Sequence, residues 1–81
     1  MSARKTERLL NLVIALLSTR GYLTAAQIID VVAGYEGDGE SARRMFERDK
    51  EELRELGVPL QTGTQSTWDD EPGYQIGRAH V

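Results

Sequence analysis

The stretch SARRMFERDKEELREL, residues Ser41–Leu56, decides the fold of this chain. On a helical wheel at roughly 100° per residue, its charged and apolar side chains separate onto two sides. The apolar side is typical of a helix that packs against a core, and Asp49 interrupts it once. The apolar members are Ala42, Met45, Phe46, Leu53 and Leu56.

The charged side of this helix begins basic and ends acidic. Three arginines stand near its start and three glutamates near its end: Arg43, Arg44 and Arg48, then Glu51, Glu52 and Glu55. This order opposes the helix dipole, because the N-terminus of a helix already carries partial positive charge. The arginines therefore indicate either an anionic partner at that end or a solvated helix face, and the stretch alone leaves both open.

The composition limits the classes of function. A chain of 81 residues forms one small domain, and its lack of cysteine excludes disulfide and thiolate–metal scaffolds. His80 is the only histidine, and Gly34, Gly37 and Gly39 lack the spacing of a phosphate-binding loop. No apolar run approaches the roughly 20 residues of a membrane span. We therefore expect a cytoplasmic protein that is not an enzyme, spans no membrane and binds no metal or cofactor.

The net charge of −3 argues against a protein that binds polyanions through bulk charge. Residues 1–20, however, contain four basic side chains against the single acid Glu7: Arg4, Lys5, Arg8 and Arg20. Such segregation can give an acidic protein one basic face.

Two helices are predicted before the stretch Ser41–Leu56. After a flexible segment, residues 1–4, the spacing of apolar residues predicts an amphipathic helix over Lys5–Thr19, which Gly21 ends in a left-handed conformation. Thr24 and Gln27 form a capping box, with Leu23 and Ile28 as the hydrophobic staple, and the second helix ends near Ala33–Gly34.

The remaining elements complete the order helix, helix, helix, ribbon. We expect Tyr35 to anchor the loop Gly34–Glu40 against the core, and the third helix to begin at an Asp38 or Ser41 cap and to end at Gly57. Strands are predicted over Val58–Thr62 and Tyr74–Ile76, and we expect Trp68 in the turn between them to pack over the ribbon in preference to stacking on a base. Residues 5–76 are therefore predicted to form a winged helix-turn-helix domain, mainly α, with three helices and a two-stranded wing.

The same residues resemble a known family. Arg48-Asp49-x-x-x-Leu53-Arg54-x-Leu56-Gly57-Val58-Pro59-Leu60, with Gly73-Tyr74-x-Ile76 and the leading Arg8-Leu9-Leu10-x-Leu12, resembles the N-terminal winged helix-turn-helix of WYL-domain transcriptional regulators. Ala33-Gly34-Tyr35 and Met45-Phe46-Glu47-Arg48-Asp49-Lys50 make the likeness strongest to the actinobacterial proteasome accessory factor B and C type. The likeness covers about residues 4–76.

The resemblance implies sequence-specific binding of double-stranded DNA, with the third helix in the major groove. By position, Arg43, Arg44 and Glu47 would face base edges and Arg48 a phosphate. Arg4 and Lys5 would approach phosphates from the start of the first helix.

This sequence departs from the family in three places. The turn before the third helix is longer than usual, and Lys50 replaces an aliphatic residue. The wing is acidic at Asp69, Asp70 and Glu71, so its tip should stay away from phosphates.

Asp49 requires its own explanation, because a carboxylate within an apolar stripe is costly unless it is paired. We expect a structural ion pair with a cation of the first helix, Arg8 in preference to Arg4 or Lys5. A catalytic acid is not favoured, because no second titratable group shares that face.

The resemblance leaves the partner and the rest of the protein open. The alternative to DNA is docking on a protein, such as RNA polymerase or a second subunit in a homo- or heterodimer. Regulators of this family, with the damage-response role implied by the likeness, continue into a WYL domain and a C-terminal extension, and neither is present in this sequence. Residues 77–81 match the translation of a common sequencing adapter, so we expect a non-native or disordered tail.

Overall fold

A computed structural model of the chain describes residues 3–35, 37, 39–64 and 71–77. Within these residues the elements follow the order α1, β1, α2, α3, β2, β3. Their bounds are α1 Ala3–Ser18, β1 Leu23–Thr24, α2 Ala25–Val31, α3 Gly39–Glu55, β2 Leu60–Gly63 and β3 Gly73–Ile76. Three helices and a small antiparallel sheet confirm the predicted fold class. No helix among the described residues is long and apolar enough to cross a bilayer.

Helix α1 begins at Ala3, so Ala3 and Arg4 belong to the helix and not to a flexible leader. Leu12 and Leu16 are buried in the core, as their helical spacing predicts. Gly21 follows the helix with a φ of 82°, the left-handed conformation that a residue without a Cβ adopts at little cost.

The start of α2 confirms the predicted capping box. The Gln27 N–H donates to the Thr24 hydroxyl at 3.2 Å, and the Thr24 N–H donates to Gln27 Oε1 at 3.0 Å. Thr24 is extended, with φ −72° and ψ 162°, so the residues before α2 are able to pair as a strand.

The sheet has three strands, in the order β1–β3–β2, where a two-stranded wing was predicted. Leu23 pairs with Tyr74, and Thr24 with Gly73, which places β3 in the middle. The prediction missed β1 because two residues are too few to show an alternating pattern.

Glycines let the sheet approach the turn before α2. A Cβ on Gly63 would lie 2.5 Å from the Tyr22 ring, and one on Gly73 would lie 2.6 Å from Tyr22 Cβ. Only strands without side chains at these two positions leave room for Tyr22.

Phe46 of α3 lies at the centre of the core. Its ring meets Tyr35 and Tyr74 edge to face, with centroids 6.1 and 5.3 Å apart. Tyr35 is buried, which confirms that it anchors the loop before α3. The third helix is therefore packed against both the loop and the central strand.

Several predicted features need correction or lie outside the described residues. Helix α3 begins at Gly39, so Ser41 lies within it, while Gly57 follows its end with a φ of 92°. Gly77, assigned to the tail, is buried and donates its N–H to the Pro59 carbonyl at 2.8 Å. The cap at Asp38, the packing of Trp68, the acids Asp69 and Asp70, and residues 78–81 lie outside the described residues.

Candidate nucleic-acid interface

Asp49 fixes α3 to the rest of the domain. Its carboxylate is 1% exposed and accepts two hydrogen bonds from Arg8, from Nε at 2.6 Å and from Nη2 at 2.9 Å. The Tyr35 hydroxyl donates a third at 2.7 Å. The structure thus brings together the two residues of the predicted ion pair and adds Tyr35 as a partner that the sequence did not indicate.

The electrostatics of this cluster follow from its burial and its hydrogen bonds. The hydrogen bond to Asp49 raises the pKa of Arg8 and outweighs the opposing effect of desolvation. Burial, followed by the hydrogen bond to Asp49, raises the pKa of Tyr35. Arg8 is therefore held as a cation and Tyr35 as a neutral donor at physiological pH.

A second cation of α1 also reaches α3. Lys5 forms an ion pair with Glu52, one helical turn beyond Asp49. Lys5, which was predicted to meet phosphate, therefore faces an acid of its own chain, whereas Arg4 is exposed and lines a shallow cleft with Gly34 and Met45.

The three predicted DNA-contacting arginines are all exposed on α3. Arg43 Nη2 lies 3.5 Å from Glu71 at the base of the wing, and Arg44 Nη2 lies 3.0 Å from Glu40. Among the described residues, Arg48 has no ion-pair partner. Both pairs involve well-exposed side chains, so each contributes no more than roughly 1 kcal/mol.

The sequence analysis noted Lys50 as a replacement of an aliphatic residue but did not predict its burial or its contacts. Lys50 is buried on the flank of α3, with its ammonium 5.1 Å from the Phe46 ring centroid and 4.5 Å from that of Tyr74. It donates to the Tyr74 hydroxyl at 3.1 Å and pairs with Glu47 at 2.9 Å. Burial lowers the pKa of Lys50, but the hydrogen bonds to Glu47 and Tyr74 outweigh it, so the net shift is upward.

The ion pair with the Lys50 ammonium therefore fixes the position of the Glu47 carboxylate. The carboxylate of Glu47, which was predicted to face base edges, is exposed and forms an ion pair with a buried cation of its own helix. The available sequence signal was the position of Lys50 four residues after Phe46, which places it beside the core stripe.

The predicted DNA-contacting residues do not form one uninterrupted basic surface. Arg43, Arg44 and Arg48 share the outer side of α3, while Lys5 and Arg4 lie near the start of α1. Three of these five cations form ion pairs with acids of the same chain: Lys5 with Glu52, Arg43 with Glu71 and Arg44 with Glu40. No group of three or more His, Cys, Asp or Glu side chains in the described part of the chain could hold a metal ion.

Sequence comparison finds relatives over nearly the whole chain. It is 58% identical over 80 residues to Protein PafB of Mycobacterium leprae (strain TN). It is 56% identical to the proteins of the same name from Mycobacterium bovis and Mycobacterium tuberculosis. This chain is similar to PafB proteins. The alignments include 96% of this chain but 24% of each PafB, so the chain spans about a quarter of the length of the curated relatives it matches. No family model matches the chain.

Proposed function

We propose that this domain binds double-stranded DNA in a sequence-specific manner, with α3 in the major groove. The observation that carries the proposal is the exposure of Arg43 and Arg44 in the first two turns of α3, with Arg48 exposed one turn further along. The first turns of a recognition helix are those that contact base edges. The core cluster of Asp49, Arg8 and Tyr35 holds that helix in a fixed orientation.

The roles of the individual side chains follow from their positions. Arg43 and Arg44 read guanine, Glu47 accepts a hydrogen bond from cytosine, and Arg48 binds a phosphate. The exposed ion pairs of Arg43 and Arg44 are weak enough to exchange for DNA acceptors, which offer the guanidinium two parallel hydrogen bonds. Arg4, which is free to reach a phosphate, supplements α3 from the start of α1.

The domain is further proposed to be the N-terminal module of a cytoplasmic transcriptional regulator of the proteasome accessory factor B type. The similarity to PafB over 96% of this chain supports this assignment. A WYL domain and a dimeric state belong to the proposal for the whole protein.

The experiment is selection of binding sites from random duplex DNA, repeated at two salt concentrations, followed by affinity measurements on the selected site. We expect enrichment of one motif, and an affinity that falls as salt rises. The triple variant Arg43→Ala, Arg44→Ala, Arg48→Ala should lose binding. The matched control Arg54→Ala removes an exposed arginine from the last turn of the same helix and should retain it. Equal affinities of the wild type and the triple variant would contradict the proposal.

Docking on a protein, such as RNA polymerase or a second subunit, is the second candidate. The acidic partners of Lys5, Arg43 and Arg44 favour it, because they lower the positive potential of the surface. In that case no motif would be enriched from random DNA, and the triple variant would instead lose binding to purified RNA polymerase.

A further inference from the structure

Lys50 and Glu47 form an ion pair in which only one partner is fixed by the core. The Lys50 side chain is 10% exposed, whereas that of Glu47 is 65% exposed. The ammonium donates to the Tyr74 hydroxyl at 3.1 Å and lies 5.1 and 4.5 Å from the ring centroids of Phe46 and Tyr74. These contacts keep the ammonium in place, because a buried charge that lost them would be left uncompensated. Lys50 therefore sets the position of Glu47, and the reverse does not hold.

The pair leaves the Glu47 carboxylate able to bind a second donor. Lys50 Nζ lies 2.9 Å from Oε2, and a carboxylate has about four acceptor sites on its two oxygens. An ionised carboxylate only accepts hydrogen bonds, so a base that it contacts must offer a donor. In the major groove cytosine and adenine offer an amino group, whereas guanine and thymine offer only acceptors there. Adenine also places the acceptor N7 beside its amino group, which leaves cytosine as the preferred base.

We propose that Lys50 is the positioning residue for base recognition by Glu47, although its own burial keeps it away from DNA. This inference rests on the proposed function, because it deepens the role assigned there to Glu47. With Oε2 held by the ammonium, the carboxylate is ordered before DNA arrives, and less side-chain entropy is lost when it binds a base. The cation also offsets the repulsion between Glu47 and the phosphates of the groove. Lys50 thereby strengthens the preference for cytosine at one position of the site.

The experiment measures base preference on the DNA site that the wild-type chain selects. Each base pair of that site is replaced in turn, and Glu47→Ala identifies the position at which the preference depends on Glu47. Lys50→Met should lower the preference for cytosine at that position by about threefold to tenfold. In the Glu47→Ala background the same change should have no effect on the preference, because no carboxylate is left to be positioned. A purely structural Lys50 would not show this dependence.

Arg54→Met is the matched control for the loss of one positive charge. Arg54 is exposed in the last turn of the same helix, so its replacement should leave the preference at that position unchanged. Lys50→Met should itself fold, since it buries no unpaired charge: Glu47 is exposed and its carboxylate stays in water. Thermal melting of each variant verifies folding.

NMR of the Lys50 ammonium tests the ion pair without DNA and without changing the core. The ammonium protons should exchange with water faster in Glu47→Ala than in the wild type, because one of their acceptors is gone. Equal exchange rates would show that the pair does not form in solution, and the proposal would be overturned.

The outcomes on DNA separate this inference from the proposed function. If the wild type selects no motif, the proposed function fails and this inference fails with it. If a motif is selected but Lys50→Met weakens binding to all sequences alike, or lowers the preference equally with and without Glu47, the positioning role alone is overturned. If Glu47→Ala changes the preference at no position, Glu47 reads no base, and the inference falls while the roles of the arginines stand.

Discussion

Arg8 and Asp49 join α1 to the middle of α3 through two parallel hydrogen bonds of 2.6 and 2.9 Å. Such a bidentate, charge-assisted pair fixes the relative orientation of the two side chains as well as the distance between them. Since Asp49 is followed within the same helix by Lys50, which bonds to the central strand, α3 is held by polar contacts on both flanks.

Replacing Asp49 should destabilise the domain strongly. Asp49→Ala leaves the Arg8 guanidinium and the Tyr35 hydroxyl without their acceptor, and removal of one partner of a buried pair costs about 3–5 kcal/mol. We expect a fall in melting temperature on the order of 10 °C or more, measured by circular dichroism. Glu51→Ala, at an exposed position two residues away, is the control and should change it little. An unchanged melting temperature of Asp49→Ala would contradict the assignment.

Tyr35 predicts a loss of stability at alkaline pH. Burial, followed by the hydrogen bond to Asp49, raises the pKa of Tyr35 in the folded protein above its value near 10 in the unfolded chain. Its contribution is therefore complete below pH about 10 and is lost as the pH rises toward the folded pKa.

The matched variant for this effect is Tyr35→Phe. It should be less stable than the wild type by about 1 kcal/mol at pH 7, because one hydrogen bond is gone. The difference should narrow above pH about 10, where only the wild type ionises at this position. Urea unfolding at pH 7, 9 and 10.5 measures it. A constant difference across these pH values would show that Tyr35 does not titrate in this way.

Gly34 should tolerate no side chain. Its φ is +114°, and an added Cβ would lie 2.9 Å from Arg8 Cγ, so Gly34→Ala both strains the backbone and displaces the partner of Asp49. We expect a loss of about 1–3 kcal/mol in the free energy of unfolding. Gly39→Ala is the control, since nothing lies within 4 Å of its added Cβ. Similar losses at both glycines would rule out the proposed cause.

The arginines of α3 should separate into two kinds in DNA binding. Arg43→Ala and Arg44→Ala should relax sequence preference by roughly 1–3 kcal/mol at the bases that they read. Arg48→Ala should weaken binding to all sequences alike and reduce the salt slope by about one. Competition assays with mutated sites at several salt concentrations distinguish these results. Uniform weakening by all three variants would contradict the division of roles.

Glu71 should oppose DNA binding. It lies 3.5 Å from Arg43, so Glu71→Gln removes an internal competitor for the guanidinium and should raise affinity for the selected site a few-fold at low salt. Glu55→Gln removes an equal charge from the far end of α3 and should have a smaller effect. If both variants raised the affinity equally, the effect would come from the change in net charge and not from the contact between Glu71 and Arg43.

The sequence predicted most of the fold because its signals were local. The apolar spacing in α1, the Thr24–Gln27 capping box and the apolar stripe around Phe46 all depend on neighbours a few residues away. The sequence also predicted Arg8 as the partner of Asp49. A carboxylate in an apolar stripe is costly unless a cation pairs with it, and the first helix offers few cations.

The rest depended on contacts between distant segments. The sequence showed that Lys50 replaces an aliphatic residue but not how its burial is offset, because its partner Tyr74 lies 24 residues further along the chain. The ion pairs of Lys5 with Glu52 and of Arg43 with Glu71 join α1, α3 and the wing across 47 and 28 positions. No periodicity within one element contains that information.

The two-residue strand β1 changes how the wing can respond to a ligand. Because β3 pairs with β1 on one edge and with β2 on the other, the wing shares its central strand with the entry to α2. A wing pushed aside by a DNA backbone would have to break the Leu23–Tyr74 pairing or carry the start of α2 with it. In the proposed complex, movement of β3 would therefore be coupled to the start of α2.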